Sequence, residues 1–150
     1  MKKFLLIAAL ATSIFAYANP APTPATISEK VLRAFKETFK SATEITWHTF
    51  ANYYQANFKV AKVQVRAHYS EDGQLLRTIR YYDEEQLLPN IVASLKKRFK
   101  GRTIHVVTET STSNEIDFVI NLKDAENWYI VRSDAFGNLQ LLDKFKRGEL

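Results

Sequence analysis

A chain of 150 residues, 46% of them hydrophobic, can bury the core of one domain or of two small repeated halves. A formal charge of +5, with Lys2 and Lys3 in an N-terminal leader, is too mild for the dense basic footprint of a nucleic-acid binder, so no nucleic-acid partner is expected. The absence of cysteine excludes a disulfide framework, a thiolate metal site and lipid attachment through a thiol.

Residues 1–18 have the three parts of a secretory signal: Lys2 and Lys3, an apolar run from Phe4 to Phe15, and Ala16-Tyr17-Ala18 as a small-x-small cleavage site. The mature chain is expected to begin at Asn19, in the periplasm or outside the cell. No later stretch is apolar enough over about 20 residues to enter a membrane. Residues 19–27 form a proline-rich leader.

Ser28 is placed to cap a helix in which Val31, Leu32, Phe35 and Phe39 share one face and Lys30, Arg33, Lys36, Glu37 and Lys40 the other. After Ala42 the period changes from 3.6 to 2, predicting strands over Glu44 to Thr49, Tyr54 to Val60 and Val63 to Tyr69. Ser70 to Gln74, with Gly73 supplying a left-handed position, predicts a hairpin in which Ser70 pairs with Gln74. Counting from that turn sets Tyr69 against Leu75, Val65 against Ile79 and Val63 against Tyr81, with Arg77 alone breaking the apolar alternation.

Asp83, three residues before Gln86, suits a capping box, and Pro89 the first position of a second helix with Ile91, Val92, Leu95 and Phe99 on its buried face and Gly101 at its end. Strands return with Ile104, Val106 and Thr108 in alternation, then Ile116 to Leu122, Trp128 to Arg132 and Leu139 to Phe145. The halves align with Val31 on Ile91, Phe35 on Leu95, Phe39-Lys40-Ser41 on Phe99-Lys100-Gly101 and Gly73 on Gly137. The expected fold is α+β, a tandem repeat of a helix plus a four-stranded antiparallel sheet over residues 28–82 and 83–146, with 147–150 as a tail.

Trp47, Tyr54-x-Ala56-x-Phe58, Tyr69-x-x-Asp72-Gly73, Arg80-Tyr81, Leu88-Pro89, Phe99-x-Gly101-x-x-Ile104 and the loop from Asp134 to Gly137 resemble the exported PepSY-like, β-lactamase-inhibitor-protein-like family of Bacteroidetes-type bacteria. The resemblance covers Ser28 to Lys146 and implies helices backing one face of a curved antiparallel sheet. It departs from the family where Lys40 and Lys100 stand in place of a proline after the helix-ending aromatic. These are folding motifs, and no activity follows from them.

No catalytic residue, metal site or cofactor is expected. His48, His68 and His105 lie on different strands without metal-ligand spacing and read as solvent-facing or hydrogen-bonded strand histidines. Asp83-Glu84-Glu85 reads as carboxylates at a helix N-terminus, and no serine sits in an elbow motif. Of the adjacent aromatics, Tyr53, Tyr82 and one of Trp128 and Tyr129 are left over for the sheet's outer face.

The leading functional reading is a non-enzymatic module that binds an envelope or secreted protein or peptide, inhibition being one form such binding can take. Its expected surface is Lys59, Lys62, Arg66, His68, Arg80, Tyr82 and Tyr53, a basic face free of carboxylates and suited to an acidic patch. A carrier of a small apolar ligand and a small cone-shaped α+β enzyme are the alternatives. Both need an interior cavity with a few convergent polar groups.

Overall fold

The computed structural model describes residues 26–148, so the expected signal segment and most of the proline-rich leader lie outside the described residues. Helix α1 (Glu29–Thr38) precedes β1 (Thr43–Thr49), β2 (Tyr54–Val60), β3 (Val63–Tyr69) and β4 (Leu75–Tyr82). A 3-10 turn (Glu84–Gln86) and α2 (Pro89–Arg98) precede β5 (Thr103–Thr112), β6 (Ile116–Lys123), β7 (Asn127–Asp134) and β8 (Leu139–Lys146). The strands form one eight-stranded sheet in the order β1 to β8, each neighbour antiparallel.

Both helices lie on the same face, because their apolar stripes have only that surface to cover. Phe35 of α1 meets Trp47, Phe58 and Tyr69 with ring centres 5.2, 5.0 and 6.5 Å away. Ile91, Leu95 and Phe99 of the second helical segment join the same core as Phe118, Ile120, Leu122, Tyr129 and Val131. Pro89 occupies the start of α2 as expected, whereas Ser28 makes no side-chain cap, only the carbonyl bond to the Leu32 N–H. Asp83 does cap its turn, accepting from the Glu85 N–H at 3.0 Å rather than entering a reciprocal pair with Gln86.

The hairpin at Gly73 forms as predicted: Ser70 N–H donates to the Gln74 carbonyl, and Tyr69 faces Leu75. The register then slips. A bulge leaves Leu76 without a partner, so Arg77 faces His68, Ile79 faces Arg66, Arg80 faces Val65 and Tyr81 faces Gln64. One extra residue exchanges the two faces of β4. The expected pairs of Val65 with Ile79 and Val63 with Tyr81 are therefore corrected, and Arg80 and Tyr82 turn to the helix side. A second bulge at His105 separates Ile104 from Val106, so the alternation expected of Ile104, Val106 and Thr108 also fails.

Candidate functional site: the uncovered sheet face

Alternation sends the remaining side chains to the opposite face, which no helix or strand of the described residues covers. From β2 to β4 it carries Gln55, Asn57 and Lys59, then Gln64, Arg66 and His68, then Arg77, Ile79 and Tyr81. Thr108 and Thr110 continue it on β5, Val119 and Asn121 on β6, Ile130 and Trp128 on β7. An open depression of about 310 Å³ lies over β1 to β4, lined by Glu44, Asn57, Lys59, Gln64, Arg66 and Tyr81 among others.

Of the expected surface, Lys59 and Arg66 line this depression, His68 and Tyr53 lie further along the same face, and Lys62 is in the β2–β3 turn. Lys59 is not free of carboxylates, since Glu44 lies 2.7 Å from its ammonium. Arg66 stands over the Tyr81 ring at 5.3 Å. His68 is 5% exposed rather than solvent-facing. Tyr53 stacks on it at 4.8 Å, Phe50 stacks on Tyr53 at 4.5 Å, and Arg77 Nε donates to His68 Nδ1 at 2.9 Å. Burial first, then the charges of Arg77 and Arg66, lowers the His68 pKa and keeps the ring neutral.

Arg80 and Tyr82 belong elsewhere. On the helix side, Arg80 bonds the Glu109 carboxylate at 3.0 Å and the Tyr82 hydroxyl donates to it at 2.6 Å. Tyr82 is 6% exposed, so it is a core residue and not a surplus surface aromatic. The sequence pattern hid this because Ile79, Tyr81 and Tyr82 suit either face; the broken alternation at Arg77 was the one signal of a bulge. The sequence reading also missed Tyr81 and the setting of Trp128, which is approached by His105, Lys123 and Arg147.

Carboxylates at the turns act on the backbone. Asp124 accepts from the Tyr129 hydroxyl and from the Asn127 and Glu126 amides, which holds its pKa down at about 2. Asp134 is lowered likewise by the Asn138 side chain and amide. Groups so firmly ionised are poor proton donors near neutral pH. Among the described residues, no group of three or more His, Cys, Asp or Glu is placed to hold a metal ion, and no helix is long and apolar enough to cross a membrane.

The architecture defined by these observations is an open antiparallel sheet with two helices on one face and a bare second face. It is shared with a BLIP-like protein from Bacteroides fragilis (TM-score 0.64, 17% identity), over 81% of this chain and 87% of that one. A DUF2874 family protein from Bacteroides ovatus matches at TM-score 0.62 and 18% identity over 83% and 91% of the two chains. A protein from Bacteroides eggerthii with a provisional periplasmic assignment matches at 0.62 and 15% over 81% and 89%. The likeness to β-lactamase-inhibitor-protein-like proteins of Bacteroidetes-type bacteria read from the motifs is thus shown in the fold. No protein-family model and no curated protein sequence matches the chain.

Proposed function

We propose that this chain is an exported, non-enzymatic module that binds an envelope or secreted protein or peptide through the bare sheet face. The observation that carries the reading is that face itself: a continuous surface across the sheet, with Arg66, Tyr81 and Lys59 around an open depression. Aromatic and arginine side chains are the residue types that dominate protein interfaces. The BLIP-like and provisionally periplasmic neighbours support the class and the compartment, as does the signal-like segment at residues 1–18.

We read residues 28–82 and 83–146 as two copies of one unit. A Cβ at Gly73 would lie 3.0 Å from the Lys30 carbonyl, and one at Gly137 would lie 3.3 Å from the Asn90 carbonyl, so equivalent glycines meet equivalent helix starts. The carrier reading finds less support. The apolar cavity beneath α1, lined by Phe39, Val60, Val63, Val65, Thr78 and Arg80, measures about 190 Å³, below the roughly 300–1,000 Å³ of small-molecule pockets. A larger hollow of about 520 Å³ beside Leu87, Pro89 and Val92 is a shallow surface dip edged by Glu84 and Glu85 and not an enclosing cavity.

The test is capture from envelope extract with the mature chain, followed by affinity measurement on the partner recovered. Arg66→Glu should weaken binding more than Arg33→Glu on the outer side of α1, and binding should weaken with salt as charges beyond about 8–10 Å are screened. A partner whose affinity ignores both salt and Arg66→Glu would remove this face from consideration.

A further inference from the structure

Two places on the bare face bring an aromatic ring together with cations that no carboxylate neutralises. At the first, the Arg66 guanidinium stands 5.3 Å from the Tyr81 ring centre. At the second, Lys123 Nζ and Arg147 Cζ stand 5.7 and 5.8 Å from the Trp128 ring centre, and Lys123 Nζ is 3.3 Å from His105 Nδ1. Lys59 and Arg132 on this face are paired, with Glu44 at 2.7 Å and Asp117 at 2.6 Å, and Arg77 is held by its bond to His68 Nδ1 at 2.9 Å. Among the described residues no carboxylate comes within 4.0 Å of Arg66, Lys123 or Arg147. An exposed cation over a ring gains only about 0.5–1 kcal/mol, so these charges stay available to an anion.

The register fixes their separation. Tyr81 lies opposite Thr108 and Lys123 opposite Thr103, and β4 is two strands from β6. With strands about 4.8 Å apart and a rise of about 3.3 Å per residue, the Tyr81 and Lys123 backbones are roughly 16 Å apart on an oblique line, with Arg66 reaching over Tyr81 from the neighbouring strand. Between them lie the half-buried and uncharged Val106, Thr108, Val119 and Asn121.

Building on the proposed binding role of this face, we infer that the two clusters anchor one extended acidic segment of a protein partner. The segment crosses the sheet obliquely with two carboxylate side chains about four residues apart, the even spacing nearest that distance and so the one that keeps both on the side facing the sheet, and uncharged residues between them. An anionic membrane surface fits less well. Membrane attachment adds apolar insertion beside the cations, whereas Leu75, Leu76, Ile116 and Phe136 lie at the opposite ends of their strands from Lys123.

Labelled peptides carrying two glutamates at spacings of about two, four and six residues, or one glutamate, test this by anisotropy and by Trp128 emission in a Trp47→Phe background. The spacing near four should bind about tenfold more tightly than the single-glutamate peptide, and Arg66→Glu and Lys123→Glu should each remove about that factor. Arg66→Gln and Lys123→Gln, with thermal melts of every variant, separate lost contact from lost fold. Indifference to spacing, loss with only one of the two reversals, or equal binding to vesicles of anionic phospholipid would overturn the inference. A captured partner released by Arg66→Glu but indifferent to Lys123→Glu would overturn the anchors while leaving the bare-face reading intact. A partner indifferent to both would overturn that reading itself.

Discussion

Tyr69 and Tyr82 are both buried on the helix side, yet their hydroxyls stand in opposite situations. The Tyr82 hydroxyl donates to Glu109, and burial followed by that carboxylate raises its pKa above the usual tyrosine range. The Tyr69 hydroxyl makes no well-formed hydrogen bond among the described residues, because the nearby Thr38 hydroxyl donates to the Ala34 carbonyl. Burial pushes the Tyr69 pKa up to about 12, and Thr38 only partly offsets it. A buried polar atom without a partner costs free energy, so Tyr69→Phe should be neutral or stabilising. Tyr82→Phe should cost about 1–3 kcal/mol, because the bond lost is to a carboxylate. Chemical denaturation of the two variants checks the contrast, and a larger loss for Tyr69→Phe would contradict it. His68 gives a second prediction. Its folded pKa is lowered, so below about pH 6.5 the unfolded chain takes up a proton that the folded chain refuses. Stability should therefore fall as the pH drops below that value until the folded ring also protonates, with no contribution above it. Urea midpoints across this range should show the slope, and His68→Gln should flatten it.

At the scale of elements, the helices were legible because their stripes repeat over several turns. Phe35 of α1 and Leu95 of α2 are both buried in the core, and truncation to alanine should cost roughly 2–5 kcal/mol for each by equilibrium unfolding. Two near-neutral results would contradict the packing. The strands and the Gly73 hairpin were legible for a similar reason, turn chemistry and alternation agreeing at that point. What alternation cannot carry is an inserted residue. Past Leu76, the run from Thr78 to Tyr82 offers an apolar or aromatic residue to either face, so nothing local reports that the phase has changed. The consequence reached the candidate surface: Lys59, Arg66, His68 and Tyr53 were placed on the face where they lie, Arg80 and Tyr82 were assigned to the wrong face, and Arg77, Ile79 and Tyr81 were not expected there. The Trp128 cluster was illegible on other grounds, since His105 joins Lys123 through a bulge that no spacing rule anticipates.

For the whole molecule, the division of labour is between faces. The helix side holds nearly all the fully buried apolar groups, which leaves the other side free to vary in charge without disturbing the core. Reversals at Arg66 or Lys123 should accordingly leave the melting temperature almost unchanged. Export makes a separate prediction: intact mass of the protein recovered from the native envelope should correspond to a chain starting at Asn19, and retention of residues 1–18 would contradict it.

Strand order has a kinetic consequence. Each strand pairs with its neighbours in sequence, so most ladders close through short turns, but β4 and β5 are joined only after the chain has travelled from Asp83 through α2 to Arg102. Closing that longer loop costs more entropy and precedes any reward from the β4–β5 ladder. The seam between Arg77 and Thr112 should thus zip after the hairpins on either side. Pulsed hydrogen exchange during refolding should find the amides bonded across β4–β5 protected later than those between β2 and β3 or between β6 and β7. Protection of the seam first would mean that the chain does not assemble outward from its turns.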